Sequence, residues 1–203
     1  MIKAWWYTGD GNNFGDVICP LILGSITEEP VSFSSDRGSL VSIGSVAFWN
    51  FKNEMVFWGS GAIDDKQNSS LIHKHVYHAV RGPRTRERIL ASGGYCPEVY
   101  GDPSMLLPLI VDKKNVKKFR LKNKISILPH WTDLGKVKSY PSVLNGDVNI
   151  FDIRSSVSET LRFILSSEVL VTSSLHGLIV GEFFDIPTVF VEFSDNLYGR
   201  LFK

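Results

Sequence analysis

The stretch 169–192, VLVTSSLHGLIVGEFFDIPTVFVE, decides the fold. Val169–Thr172 reads as a short buried strand, Leu175–Phe184 as a helix and Thr188–Glu192 as a second strand, with Ser173 and Ser174 at the first junction. Two strands joined through a helix predict parallel pairing, because a tight hairpin cannot connect parallel neighbours. The same alternation extends outward in both directions. Toward the N-terminus lie helix Ser156–Ser167 and strands Val148–Ile153 and Lys124–Leu128. Earlier still come strands Lys3–Thr8, Ser39–Ile43, Met55–Trp58 and Lys74–Val80, a short helix over Asp16–Leu23, and a helix opening at Pro83, where a missing N–H costs nothing. The class this implies is α/β, with parallel sheets covered by helices in Rossmann-like units.

The chain has 203 residues, room for one large or two small α/β domains. It divides into an N-terminal domain over 1–111, a basic linker over 112–123 and a C-terminal domain over 124–203. The linker holds Lys113, Lys114, Lys117, Lys118, Arg120 and Lys122, with Lys124 directly after it. A charge run of this kind is ordinarily a solvated face. The whole chain is balanced, 22 Lys and Arg against 21 Asp and Glu, which argues against a nucleic-acid protein driven by a basic field. Neither a signal peptide nor an apolar run near the ~20 residues of a bilayer crossing is evident. Two cysteines, Cys19 and Cys96, supply no disulfide framework and no metal site, so a reducing cytoplasm is the expected setting. His73, His75 and His78 do not converge on a strand, so no metal is expected.

Ligands of open α/β sheets bind beyond the carboxyl ends of the strands. The polar residues that follow each expected strand are therefore the candidates: Asn13, Asp16, Ser60 with Gly61, Arg81, His130, Asp152, Ser173, Ser174, His176 and Glu192. The segment 172–177, TSSLHG, is the sharpest of these. A helix start offers an anion backbone donors and a partial positive charge, and His176 in its first turn would touch a bound phosphate or carboxylate. The plainer reading is that Ser173 or Ser174 caps the helix while His176 packs on the sheet. Arg81, at a strand end, faces the expected ligand edge, where its planar fork suits phosphate or carboxylate. Arg84, Arg86 and Arg88 read as a surface face that pairs with Glu87.

The order NFGD (13–16), GSG (59–61), VRGPRT (80–85), GDP (101–103), LPHW (128–131) and SLHG (174–177) resembles the polysaccharide pyruvyltransferase family, in particular the ketal pyruvyltransferases of succinoglycan-type exopolysaccharides. The resemblance implies two Rossmann-like domains arranged as in glycosyltransferase-B-like folds, with the active site in the cleft between them. It implies transfer of a pyruvyl group from phosphoenolpyruvate, a co-substrate and not a cofactor, onto two hydroxyls of one sugar. The products are a cyclic ketal and phosphate. It further implies that His176, with Leu175, Ser174, Ser173 and His130, holds the donor, that Arg81 clamps phosphate or carboxylate, and that Asp16 serves as acid/base or orients the acceptor. Asn13, Ser60, Gly61, Asp152 and Glu192 would line the cleft on the acceptor side.

The acceptor implied is a saccharide, polymeric or lipid-linked, met at the cytoplasmic face of the membrane through peripheral association. Several members of the family carry arginine where this chain has Ser174, and their second domain continues past Lys203. The second unit is therefore expected to be incomplete, with an apolar patch over Phe193–Phe202 that promotes homo-oligomers. Two alternatives share the architecture: a nucleotide-sugar glycosyltransferase, and a non-catalytic carbohydrate-binding relative.

Overall fold

A computed structural model of the chain describes residues 1–9, 11–63 and 70–195, grouped into two compact α/β units. The first comprises Met1–Tyr7 and Asp16–Ser104, and the second Thr8–Gly15 and the described residues from Met105 onward. The basic stretch 112–123 therefore groups with the second sheet.

The one-turn α1 (Phe14–Val17) has its first two residues in the second unit and its last two in the first, whose other elements run β1 (Ile2–Trp5), α2 (Cys19–Thr27), β2 (Val31–Phe33), β3 (Leu40–Val41), β4 (Val56–Trp58), β5 (Val76–Ala79) and α3 (Pro83–Ala91). The five strands form one parallel sheet in the order β2-β1-β3-β4-β5. Its core gathers Val41, Met55, Phe57, Ile72, Tyr77, Val80 and Ile89. The register pairs Phe57 with Tyr77, and their rings stack at 5.0 Å. As an edge strand, β5 buries Tyr77 and Ala79 and exposes Val76 and His78. His73 is exposed, as is His78, whereas His75 is buried.

Two local readings of the sequence are corrected here. The helix expected over 16–23 is divided into α1 and α2, and α2 runs on to Thr27. Pro20 has no N–H to offer the Asp16 carbonyl, so it suits the opening of a new helix and not the interior of a long one. Glu28 then ends α2 in the left-handed conformation (φ 57°), and the chain returns at once into β2, a three-residue edge strand with no periodic signature of its own.

The second unit contains α4 (Leu107–Ile110), β6 (Ile125–Leu128), α5 (Leu134–Lys138), α6 (Pro141–Leu144), β7 (Asn149–Ile150), α7 (Val157–Ser166), β8 (Val169–Thr172), α8 (Leu175–Phe183) and β9 (Thr188–Phe190). Its sheet is also parallel, in the order β7-β6-β8-β9. A reciprocal capping box, Ser156 with Glu159, starts α7. Helix α8 lies close against the strands because Gly177 and Gly181 face them one turn apart. A Cβ at Gly177 would come within 2.5 Å of Thr172 Oγ1, and one at Gly181 within 2.3 Å of Thr188 Oγ1. The chain is thus α/β with two parallel sheets, compatible with Rossmann-like units. From residue 196 on, the expected C-terminal apolar patch lies outside the described residues. No helix among those described is long and apolar enough to cross a membrane.

Candidate functional site

The first unit builds its charged centre around Arg81, two residues beyond the end of β5. The backbone N–H of Arg81 donates to Ser60 O (3.1 Å), which ties it to the glycine loop after β4. Its Nη2 donates to Ser45 Oγ (2.8 Å) and Ala62 O (3.2 Å), while Nη1 lies 3.8 Å from Asp102 Oδ2. Only 12% of the side chain is exposed. The guanidinium lies flat on Gly61, where a Cβ would sit 2.4–2.6 Å from Nη2, Nε and Cζ. Burial pulls the Arg81 pKa below its ordinary value, opposed first by Asp102 and then by Asp16. Asp102 is itself held in place, since its Oδ1 accepts from the Ser104 N–H (3.0 Å) and hydroxyl (2.7 Å). Asp16 is also buried, and a Cβ at Gly44, a glycine in the left-handed region (φ +105°), would lie 2.9 Å from its Oδ1. Arg81 and Asp102 thus stand together as a buried cation and carboxylate, with the charge of buried Asp16 close enough to be felt.

Ser60 takes a different part from the one its position suggests. It is fully buried, and its hydroxyl donates to Gly44 O (2.9 Å), so it joins two loops beneath the arginine. On α3, Arg86 donates to Cys96 O (3.0 Å) and Arg88 lies 3.9 Å above the Phe48 ring, so both brace the helix. Arg84 is exposed.

The second unit gathers its polar residues beyond the carboxyl ends of β6 and β8, adjacent strands that pair Leu128 with Thr172. His176 stands in the first turn of α8 and is 7% exposed. Its ring occupies the space above Gly15, where a Cβ would lie 1.9 Å from Nδ1. Ser174 is the N-cap of α8 and accepts from the Gly177 N–H (3.3 Å). Ser173 bridges the two strand ends, since its Oγ accepts from His130 N–H (2.8 Å) and donates to Asp133 Oδ2 (2.7 Å). Asp133, wholly buried, also accepts from the Ser194 hydroxyl. The capping role falls to Ser174, and His176 is buried over Gly15 and not shown against the sheet.

His130 Nδ1 is paired with Thr132 Oγ1 at 2.7 Å. Burial lowers the His130 pKa; Asp133 opposes this and His176 adds to it.

The remaining candidates have the following surroundings. Asp152 is engaged by Arg154 through Nε (3.0 Å) and Nη2 (2.8 Å), which holds its carboxyl below the usual range. Glu192 is exposed beyond β9, and Asn13 is half-buried just ahead of α1. Asp102, Asp133, Ser45 and Gly15 escaped the sequence reading. Asp102 and Gly15 stand inside the GDP and NFGD motifs, and Asp133 follows His130 by three residues. Nothing local marks Ser45.

Comparison with known proteins places these motifs in context. The family model described as "Polysaccharide pyruvyl transferase" matches residues 31–195. The succinoglycan biosynthesis protein ExoV of Rhizobium meliloti (strain 1021) is 27% identical over 121 residues, 59% of this chain and 36% of that protein. An uncharacterized protein of Acanthamoeba polyphaga mimivirus is 29% identical over 154 residues, 74% of this chain and 52% of that protein. The chain thus spans about a third to a half of the length of these curated relatives. No solved structure matches. With the family match running from β2 to beyond β9 and taking in Arg81, Asp102, His130, Asp133 and His176, the chain belongs to the polysaccharide pyruvyl transferase family.

Proposed function

We propose that this chain serves the transfer of a pyruvyl group from phosphoenolpyruvate to two hydroxyls of a sugar in a bacterial surface polysaccharide or exopolysaccharide. The observation that carries the reading is the position of His130 and His176 beyond the carboxyl ends of the adjacent parallel strands β6 and β8, with His176 in the first turn of α8. That edge is where an open α/β sheet receives its ligand, and family membership and the ExoV likeness support pyruvyl transfer in polysaccharide biosynthesis.

In this reading a proton is delivered to the methylene carbon of the donor, which leaves C2 electrophilic. One sugar hydroxyl adds there and releases its proton, and the C2–O bond to phosphate breaks. The second hydroxyl then adds and releases its own proton. Of the two protons released, one replaces the proton delivered to carbon and one leaves on phosphate. His176 is assigned the donor phosphate and the proton delivery, with backbone N–H groups of the first turn of α8 as anion donors. His130, whose pKa burial lowers, is assigned the acceptance of a hydroxyl proton. Ser174 is committed to capping α8, so no cation is available from that position. Arg81 is assigned to an anion of the donor and Asp16 to the acceptor hydroxyls.

The test measures phosphate release from phosphoenolpyruvate in the presence of a saccharide acceptor, with the ketal followed by carbon NMR. His176→Ala should lower turnover about 10²–10⁴-fold, the scale of a lost general acid/base. Unchanged turnover would remove His176 from the site. Calorimetric binding of a nucleotide-sugar without any binding of phosphoenolpyruvate would favour a glycosyltransferase instead.

A further inference from the structure

Residues 112–124 carry seven of the 22 Lys and Arg side chains and a single acid, Asp112. The segment therefore has net charge +6 in a chain of net +1, which leaves −5 on the other 190 residues. All seven cations are exposed. The backbone beneath them is tied to the second unit. Phe119 N–H donates to Ser166 Oγ (2.8 Å), Arg162 Nε donates to Lys117 O (2.6 Å), and the Arg162 guanidinium lies 4.2 Å over the Phe119 ring. Asn123 and Asn149 exchange hydrogen bonds at the far end. The segment is a strap that displays its lysines outward from a fixed backbone.

The nearby acids are largely engaged. Asp112 accepts from the Lys114 N–H (2.9 Å) and from Asn115 (3.1 Å). Asp185 pairs with Lys113 (3.3 Å) and Glu168 with Lys124 (3.7 Å). Lys114, Lys117, Lys118, Arg120 and Lys122 make no ion pair among the described residues. Beside the start of the strap, a groove of about 410 Å³ is lined by Leu109, Lys113, Lys114, Phe183 and Asp185. Leu109 is 83% exposed there and Phe183 46%.

We propose that this face docks on an anionic lipid bilayer, with the strap cations on the headgroups and Leu109 and Phe183 in the interfacial layer. Charge complementarity selects an anionic partner, since clusters of four to eight Lys/Arg bind acidic lipid surfaces. The exposed apolar pair selects the bilayer among anionic partners. A nucleic acid or acidic glycan would use the lysines and leave Leu109 in water, whereas a membrane interface accepts both. The inference is independent of the pyruvyl-transfer reading.

Co-sedimentation of the full chain with vesicles tests it. Vesicles of phosphatidylcholine and phosphatidylglycerol should bind the chain, pure phosphatidylcholine should not, and rising salt should weaken binding. Joint replacement of Lys114, Lys117, Lys118 and Lys122 by Glu should weaken binding more than about 100-fold, given ~1 kcal/mol for each cation at such a surface. If that variant does not fold, Lys117→Glu with Lys118→Glu should still cost roughly 25-fold. Leu109→Asp should cost roughly tenfold. The proposal is overturned by equal binding to neutral vesicles, by charge-reversed variants that fold and bind as before, or by a Leu109→Asp variant with unaltered vesicle affinity. Tighter binding to a soluble polyanion such as heparin than to the mixed vesicles would likewise overturn it.

Discussion

Gly61→Ala, made in the presence and absence of Arg81, measures how rigidly the guanidinium is seated. The added methyl would sit 2.4 Å from Nη2, 2.5 Å from Nε and 2.6 Å from Cζ. Carbon rarely approaches such atoms closer than about 3.4 Å, so the guanidinium must retreat by roughly 1 Å. A retreat of that size stretches the 2.8 Å bond to Ser45 beyond hydrogen-bond length. It also disturbs the donation to Ala62 O and the approach to Asp102. A lost hydrogen bond from a charged group costs about 1.5–3 kcal/mol, and overpacking alone about 1–3 kcal/mol. These losses overlap, so the expected cost is about 2–4 kcal/mol, read as a lower urea midpoint at constant slope.

In an Arg81→Ala background the methyl meets space vacated by the guanidinium. The same Gly61→Ala change should then cost less than about 0.5 kcal/mol, and the coupling energy of the cycle should approach the full single-mutant cost. Equal costs in the two backgrounds would refute the reasoning, because Gly61 would then be required for something other than the arginine. A Gly61→Ala protein as stable as the parent would refute it as directly.

The buried His75 ring, packed against Phe51, Phe57 and Tyr77 with Nδ1 accepting the Met55 N–H (3.1 Å), has its pKa lowered by burial from 6.5 to about 4. The fold favours the neutral ring, so its contribution is complete above pH ~6.5 and is lost as pH falls toward 4, by up to ~3 kcal/mol. His75→Asn keeps an acceptor without the titration, and urea midpoints at pH 7.5 and 4.5 should differ less in the variant than in the parent. Gly181→Ala should destabilise by about 1–3 kcal/mol in thermal unfolding, because its Cβ would meet Thr188 on β9; a companion Thr188→Ala should recover most of the loss. Ser156→Ala removes the capping box of α7 and should cost about 1 kcal/mol in the same assay. Cys19 is buried beside Ser42 Oγ (3.1 Å) with its thiol pushed up to about 11, so iodoacetamide at pH 8 should spare it until the protein is unfolded.

The strand–helix–strand run through 169–190 was legible in the sequence because its signals are local. A β-branched strand, a capping serine and a helix of apolar residues each declare themselves within a few positions, and the parallel class follows from their order. The family motifs were legible for the same reason, and they carried Arg81 and His176 with them. Elements defined by a partner were not. The three-residue β2 exists because β1 pairs with it through Ile2 and Val31, and the strap over 112–124 reads as a free linker until Arg162 and Ser166 are seen to hold it.

The site divides along the same line. Residue type and position beyond a strand end marked Arg81, His130 and His176 as candidates, but the direction of each side chain depends on residues far away in sequence. Ser45 and Ala62 reach Arg81 from 36 and 19 residues away, and Ser173 joins His130 across 43. Ser60 and Asp152, chosen by the same positional rule, are bound instead to Gly44 O and Arg154. Sequence by itself determined the alternation of strands and helices, since backbone preference and apolar period act within about ten residues. Only the tertiary structure decided which polar groups are buried together and what each one bonds. Those pairings are selected by the cost of leaving a buried donor or acceptor unsatisfied, and that cost is incurred only once distant segments have packed.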